Sequence, residues 1–309
     1  MSAVQWLEPR SLAEAGEVRA QRGAEATVLA GGSFLGILMN QGFLSPTCLL
    51  SLRAVGELRG ITVRDGELCL GAMVTHRQVE RDETVRRDWP ALARAFGIVA
   101  SPRVRNQATV GGVLADADYA SDPPAMLGAL GARAVLRGPT GEREVAIDEL
   151  ILGFYQTCIA DDELLTEVRV PPAEPGAVYR KFRSRSSEDR PCVAVAAARS
   201  GGALRVVVGA CAEMPQHYPD ICALAAEGPL DGAMAREIAR RYAERLQPLT
   251  DARGSAGYRR RIVAVEVRRA LEELGGVGGE TLVRGRQGGT LVRGRRGGTL
   301  VRGRRRAGP

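Results

Sequence analysis

Leu29-Ala30-Gly31-Gly32-Ser33-Phe34-Leu35 and Thr109-Val110-Gly111-Gly112-Val113-Leu114 are the stretches from which the fold is read. They lie about eighty positions apart. Each sets a Gly-Gly pair between apolar residues, with a hydroxyl, Ser33 or Thr109, within two positions. Glycine allows close approach of backbone to a ligand and frees N–H groups to point outward. Two such turns facing each other can cradle a pyrophosphate through backbone donors. Each alone also reads as a tight connection between elements. Residues 26–30 read as a short buried strand, and residues 34–39 open a helix beyond the first turn. That order aims unsatisfied helix N–H groups at an anion. Neither turn matches GxGxxG, so the sequence does not predict a Rossmann fold.

Working outward, Ser11 caps a helix over residues 11–18, with Glu14 three positions on in a capping-box pattern. Residues 47–52 and 67–72 read as strands, with Asp65-Gly66 as a turn signal. A helical stretch lies around residues 92–96, and another, with Pro124 near its start, over residues 124–130. Residues 134–138, 144–147 and 164–170 read as strands. Pro171-Pro172-Ala173-Glu174-Pro175-Gly176 is the best linker in the chain. Beyond it, residues 192–198 and 204–210 predict a hairpin around Gly201-Gly202, and helical patterns run from 233 to 274. The second domain is therefore α+β, strands first and helices after. The expected division is 1–171, in two subdomains with a boundary near 55, then 176–275, then a Gly/Arg repeat tail over 276–309 that composition marks as disordered.

The chain has 309 residues, 45% hydrophobic and 26% charged, ordinary for a globular protein of about two domains. No apolar run approaches the roughly twenty residues needed to cross a bilayer. The N-terminus lacks a basic region followed by an apolar one, so no secretory signal is read and a cytoplasmic location is expected. The formal charge is +7, but residues 278–309 hold nine arginines and one glutamate, which leaves the rest of the chain at −1. The basic balance thus belongs to a tail and does not mark a nucleic-acid-binding domain. The tail reads either as an electrostatic arm for an anionic partner or as an expanded repeat without a role. Six cysteines are widely and irregularly spaced, with no CxxC pair, so neither an iron–sulfur nor a zinc site is expected and buried free thiols are. With only His76 and His217, a histidine-based metal site is not expected. Asp116, Asp118 and Asp122 have a spacing that could suit oxygen ligation, but no following Glu completes a calcium loop.

Ala30-Gly31-Gly32-Ser33, the run Arg105-Asn106-Gln107-Ala108-Thr109-Val110-Gly111-Gly112 and Asp122-Pro123-Pro124 resemble the FAD-binding medium subunit of molybdenum hydroxylases, the group of carbon monoxide dehydrogenase and xanthine dehydrogenase. The resemblance continues through Tyr179-Arg180-Lys181-Phe182-Arg183 and Ser255-Ala256-Gly257-Tyr258-Arg259-Arg260, in the expected order over roughly residues 1–274. It implies an α+β chain: a two-subdomain FAD-binding fold of the vanillyl-alcohol-oxidase (PCMH) type, then a smaller α+β domain. It implies FAD as cofactor, held by Ala30, Gly31, Gly32, Ser33, Phe34 and Leu35, by Thr109, Val110, Gly111, Gly112 and Val113, and by Asp122, Leu165 and Lys181. It implies a large molybdopterin-binding subunit and a small [2Fe-2S] subunit as partners, in a dimer of heterotrimers. The protein then positions and tunes the flavin, and no catalytic side chain or resident metal is expected.

Three positions depart from the family pattern: Val113 for Asn, Asp116 for His and Tyr119 for Pro. Val113 keeps a backbone N–H but loses a side-chain donor and acceptor. The carboxylate of Asp116 is unfavourable beside a pyrophosphate unless it points away. Two other readings stand beside this one. A free-standing FAD-dependent oxidase would need a base over the flavin and a substrate insert, and the shortage of histidine argues against it. A module that has lost FAD would bind an anionic partner through its arginine tail.

Overall fold

The computed structural model describes residues 4–276, apart from 173, 185, 187 and 188. The expected disordered tail lies, from residue 277 on, outside the described residues.

The N-terminal part begins with a three-stranded parallel sheet in the order Gln5–Leu7, Cys48–Ser51, Ala26–Leu29. All four residues of the middle strand are buried, as a parallel strand covered on both faces should be. Helix Leu12–Arg22 packs on it. Ser11 Oγ accepts the N–H of Glu14 at 3.2 Å, but the Glu14 carboxylate takes the N–H of Arg10 at 2.8 Å and not that of Ser11. Only half of the expected capping box forms. Ala15, Ala26, Leu50, Val55 and Leu58 make a small core here.

The second sheet is antiparallel, with five strands in the order Ile61–Arg64, Glu67–Gly71, Leu164–Val170, Arg133–Gly138, Gly141–Ala146. Asp65 and Gly66, both at positive φ, close its first hairpin, as a two-residue Asp-Gly turn does. Leu68, Leu70, Leu136, Val168 and Val170 pack beneath helices Pro90–Gly97 and Pro123–Ala129 in the largest core.

The third sheet runs Val178–Phe182, Val193–Ser200, Ala203–Gly209, Gln216–His217 and is covered by helices Gly232–Arg245 and Ala256–Leu274. Its second strand serves two cores. Ala194, Ala196 and Ala198 belong to the core of the second sheet, while Val193, Val195 and Ala197 join Val206, Val208, Ile238 and Val263. Period-two alternation sends the alanines to one face and the valines to the other. The small alanine face lets helix Pro123–Ala129 pack on this sheet.

One expected turn is a helix. Thr109 caps Val110–Ala115, and Gly111 and Gly112 lie in its first turn. The six cysteines are free thiols, five of them buried and Cys158 half-buried.

Candidate functional site

The parallel sheet, the helix after Thr109 and strand Val178–Phe182 enclose a cavity of about 760 Å³. That is within the usual range for a small-molecule or cofactor site. Of the residues expected at the site, Ala30, Gly31, Gly32, Ser33, Phe34, Leu35, Thr109, Gly111, Gly112, Val113, Asp122, Leu165 and Lys181 line it. Val110 does not; it is fully buried in the core behind the wall.

The first glycine loop joins strand Ala26–Leu29 to helix Leu35–Asn40. Gly32 sits at φ +68, a left-handed conformation that glycine adopts without strain. Among the described residues, the N–H groups of Gly32, Ser33, Phe34 and Leu35 meet no hydrogen-bond acceptor. They form a run of donors on the cavity wall, of the kind that receives an anionic oxygen. The Ser33 hydroxyl likewise has no partner among the described residues.

The second glycine pair differs from the expectation that its amides are free. The Gly111 N–H donates to Ala72 O at 2.8 Å, and the Gly112 N–H to Thr109 Oγ1 at 3.1 Å. The N–H of Val110 goes to Val74 O at 2.9 Å, and that of Val113 to Thr109 O at 3.1 Å. These amides hold the wall together. The glycines are needed there for space. A Cβ on Gly111 would lie 2.6 Å from the Cβ of Ala72. The first loop leans on the same wall, where a Cβ on Gly31 would stand 1.9 Å from Gln107 O.

Further along the wall, Arg105 is nearly buried. Its Nη1 donates to Val99 O at 2.9 Å and Ala100 O at 3.0 Å, and its Nε to Glu80 at 3.0 Å. It pins a lining segment in which Ala100 holds φ +40. His76 is buried beside it, ring edge toward Phe96 at 4.9 Å. Burial pushes its imidazole down to about 4, so the ring is neutral at pH 7, and neither ring nitrogen has a partner among the described residues.

Asp122 and Lys181 meet each other at 2.8 Å, both side chains almost wholly buried. Lys181 Nζ also donates to Ile98 O at 3.1 Å, and the Tyr179 hydroxyl donates to Asp122 at 2.7 Å. Burial raises the Asp122 carboxyl, and Lys181 and Tyr179 oppose that rise. Tyr179 and Lys181 reach the same carboxylate because side chains two apart on a strand share a face.

Asp116 is among the residues that line the cavity. Burial, followed by the charge of Asp118, raises its carboxyl to about 7, with Arg190 opposing. Near neutral pH much of it is uncharged, which moderates the repulsion expected beside a pyrophosphate. Asp118 pairs with Arg190 at 2.6 Å. Asp116 and Asp118 thus lie near each other and Arg190, while Asp122 pairs elsewhere with Lys181. Among the described residues, no group of three or more His, Cys, Asp or Glu gathers to hold a metal ion. Sequence reasoning missed Arg190, His76 and the wall segment 157–164. The available signal was for Tyr179, two positions from Lys181 on a predictable strand.

Residues 2–173 match the family described as FAD binding domain in molybdopterin dehydrogenase, and residues 177–274 match the CO dehydrogenase flavoprotein C-terminal domain. The chain is 31% identical over 274 residues to the carbon monoxide dehydrogenase medium chain of Hydrogenophaga pseudoflava, covering 85% of this chain and 94% of that one. It is 28% identical over 279 residues to the nicotine 6-hydroxylase medium subunit of Paenarthrobacter nicotinovorans, covering 89% and 98%. A chain in the structure of reconstituted CO dehydrogenase from Oligotropha carboxidovorans superposes with a TM-score of 0.84 at 29% identity, covering 89% and 98%.

Proposed function

The chain belongs to the FAD-binding medium subunits of the molybdopterin dehydrogenases, and from that premise we propose that it is the flavin station of a multi-subunit molybdenum hydroxylase. When bound, FAD supplies the chemistry: it takes up electrons one at a time and releases them as a pair. The partners are a large molybdopterin subunit, where substrate is oxidised, and a small subunit whose [2Fe-2S] clusters deliver the electrons. An external acceptor receives them. We take residues 1–171 as the flavin-holding part and 176–275 as the part that closes the cavity. We place the assembly, a dimer of heterotrimers, in the cytoplasm; no described helix is long and apolar enough to cross a membrane.

The observation that carries this reading is the run of N–H groups from Gly32 to Leu35, without an acceptor among the described residues, on a cavity of cofactor size. In the proposal these amides and the Ser33 hydroxyl hold the diphosphate. The helix after Thr109 forms the facing wall, and Leu165 covers an apolar part of the cofactor. Asp122 and Lys181, being paired, present a polar but nearly neutral surface to it. Val110 supports the wall from behind.

The test is an absorption spectrum of the purified chain with identification of what acid releases. A yellow protein releasing one FAD per chain, without iron or molybdenum, is expected. A colourless chain that also fails to take up added FAD in the presence of its partner subunits would overturn the proposal.

A further inference from the structure

We infer that the groove between helices Gly232–Arg245 and Ala256–Leu274 is a docking site for an acidic amphipathic helix of a protein partner. The inference goes beyond the flavin reading. Among the described residues, neither helix contributes to the wall of the cofactor cavity.

The inner faces of the two helices pack Ile238, Tyr242, Val263 and Val267 into the core of the third sheet. At the seam between the helices lies a groove of about 510 Å³. Its floor is apolar and its side chains are small: Ala239 and Ala243 are buried, Ala264 and Val265 half-buried. The lining runs over residues 236–244 on one helix and 260–268 on the other. That is about 12 Å at 1.5 Å per residue, or roughly two turns. A guest helix needs about that length to set its i, i+3 or i+4, and i+7 side chains into an apolar groove.

The rims are basic. Arg236 and Arg240 stand on one side, and Arg260, Arg261 and Arg268 on the other. Arg240 is held by Glu237 at 2.8 Å and Glu244 at 2.7 Å, and Glu237 is shared with Arg241 at 2.7 Å. Arg268 reaches Glu272 at 3.8 Å. Arg260 and Arg261 are exposed, with no ion-pair partner among the described residues. The charge of Arg236 reaches Asp231, whose carboxylate already accepts the N–H groups of Ala233 at 2.8 Å and Met234 at 2.9 Å. Positive charge is thus left over on both rims. It is also local: residues 232–274 hold ten arginines against six carboxylates, whereas residues 1–231 hold 24 basic and 29 acidic side chains.

This pattern selects the occupant. Carboxylates flanking an apolar ridge match it, because the guanidinium fork binds a carboxylate at two points. A nucleic acid gains nothing from an alanine and valine floor, and the lining offers no aromatic face for a base to stack on. An anionic lipid surface is gripped by large apolar side chains that project into it, and here the apolar part is recessed and small. The chain's own repeat segment, with nine arginines and one glutamate over residues 278–309, is repelled.

The experiment uses the full chain as purified. The probe is a capped peptide of about fifteen residues, long enough to hold a helix. It is built of Ala, Leu and Glu, with the apolar residues on one face and glutamates on both flanks. It carries a fluorophore at one end and a benzophenone on the apolar face. Anisotropy gives its affinity, and mass spectrometry locates the photo-crosslinks. Crosslinks confined to residues 236–268 are expected, with affinity falling as salt rises. Arg260→Glu/Arg261→Glu should lower affinity at least tenfold at an unchanged melting temperature. Ala264→Gln, which makes the floor polar, should lower it about fivefold. Arg81→Glu/Arg86→Glu, an equal charge change on other helices, should bind as the parent does. A probe with lysine for glutamate should not bind. Crosslinks on residues 277–309 or elsewhere would overturn the inference. So would affinity retained within twofold in Arg260→Glu/Arg261→Glu, or an equal loss in Arg81→Glu/Arg86→Glu. Displacement of the probe by a DNA duplex or by phosphatidylserine vesicles would overturn the choice of a protein helix as the occupant.

Discussion

Gly31-Gly32 and Gly111-Gly112 have similar sequence surroundings, but their amides are used in different ways. From Gly32 to Leu35, N–H groups line the cavity with no acceptor among the described residues, while Gly111 and Gly112 donate to Ala72 and Thr109. The first loop offers donors to a ligand. The second has its donors engaged in building the surface that the first leans on, with Gly31 against Gln107 O. A glycine pair signals close approach, but the approaching group can be a ligand or another backbone. Only the hydrogen-bond partners distinguish the two.

Four variants test the contrast. Gly31→Ala should have the largest effect, because the added Cβ would meet backbone at 1.9 Å. The two segments would have to separate, at a cost of about 3 kcal/mol or more. A fall in the urea midpoint with loss of FAD checks this; a stable variant would mean the loops are not in contact. Gly111→Ala meets the Ala72 Cβ at 2.6 Å and should cost about 2 kcal/mol. The protein that still folds should bind FAD with nearly parental affinity, as the second loop is structural. A specific loss of FAD affinity at unchanged stability would reverse that assignment.

Asp116→Asn comes third and is read as pH dependence. In the parent, raising pH through about 7 ionises Asp116 on the cavity wall, so FAD affinity should fall about tenfold between pH 6 and 8. The variant should show a flat profile, and a parental profile that is already flat would remove Asp116 from the site. The same group affects the apoprotein. Between pH 3.8 and about 7 the folded chain keeps a proton that the unfolded chain has released, so this group's contribution to stability declines as pH rises through that window. Thr109→Ala is the smallest, losing a helix cap at about 1 kcal/mol by thermal melting, with FAD affinity unchanged.

Much of this architecture could be read from local pattern. The strand, glycine loop and helix around residue 31 are signalled by an apolar run, two glycines and a second apolar run within fifteen positions. The Asp65-Gly66 hairpin and the Ser11 cap depend only on neighbours. What could not be read depends on partners far away in the chain. The amide of Gly111 is occupied because Ala72, in the turn just past strand Glu67–Gly71, reaches it, and Asp116 is shifted because the fold buries it near Asp118. Ion pairing of Lys181 with Asp122 also joins segments about sixty positions apart. The family resemblance brought Asp122 and Lys181 into view, but it did not reveal that they face each other.

The strand with alanines on one face and valines on the other has a mechanical consequence. The proline-rich segment before it looks like a place to bend, yet the alanine face is packed into the neighbouring core and the Trp89 indole donates to Pro171 O at 2.8 Å. The small alanines let the two layers approach closely. The chain is modular in its two family matches but continuous in its packing, and a cut at the linker would leave an apolar stripe on each half.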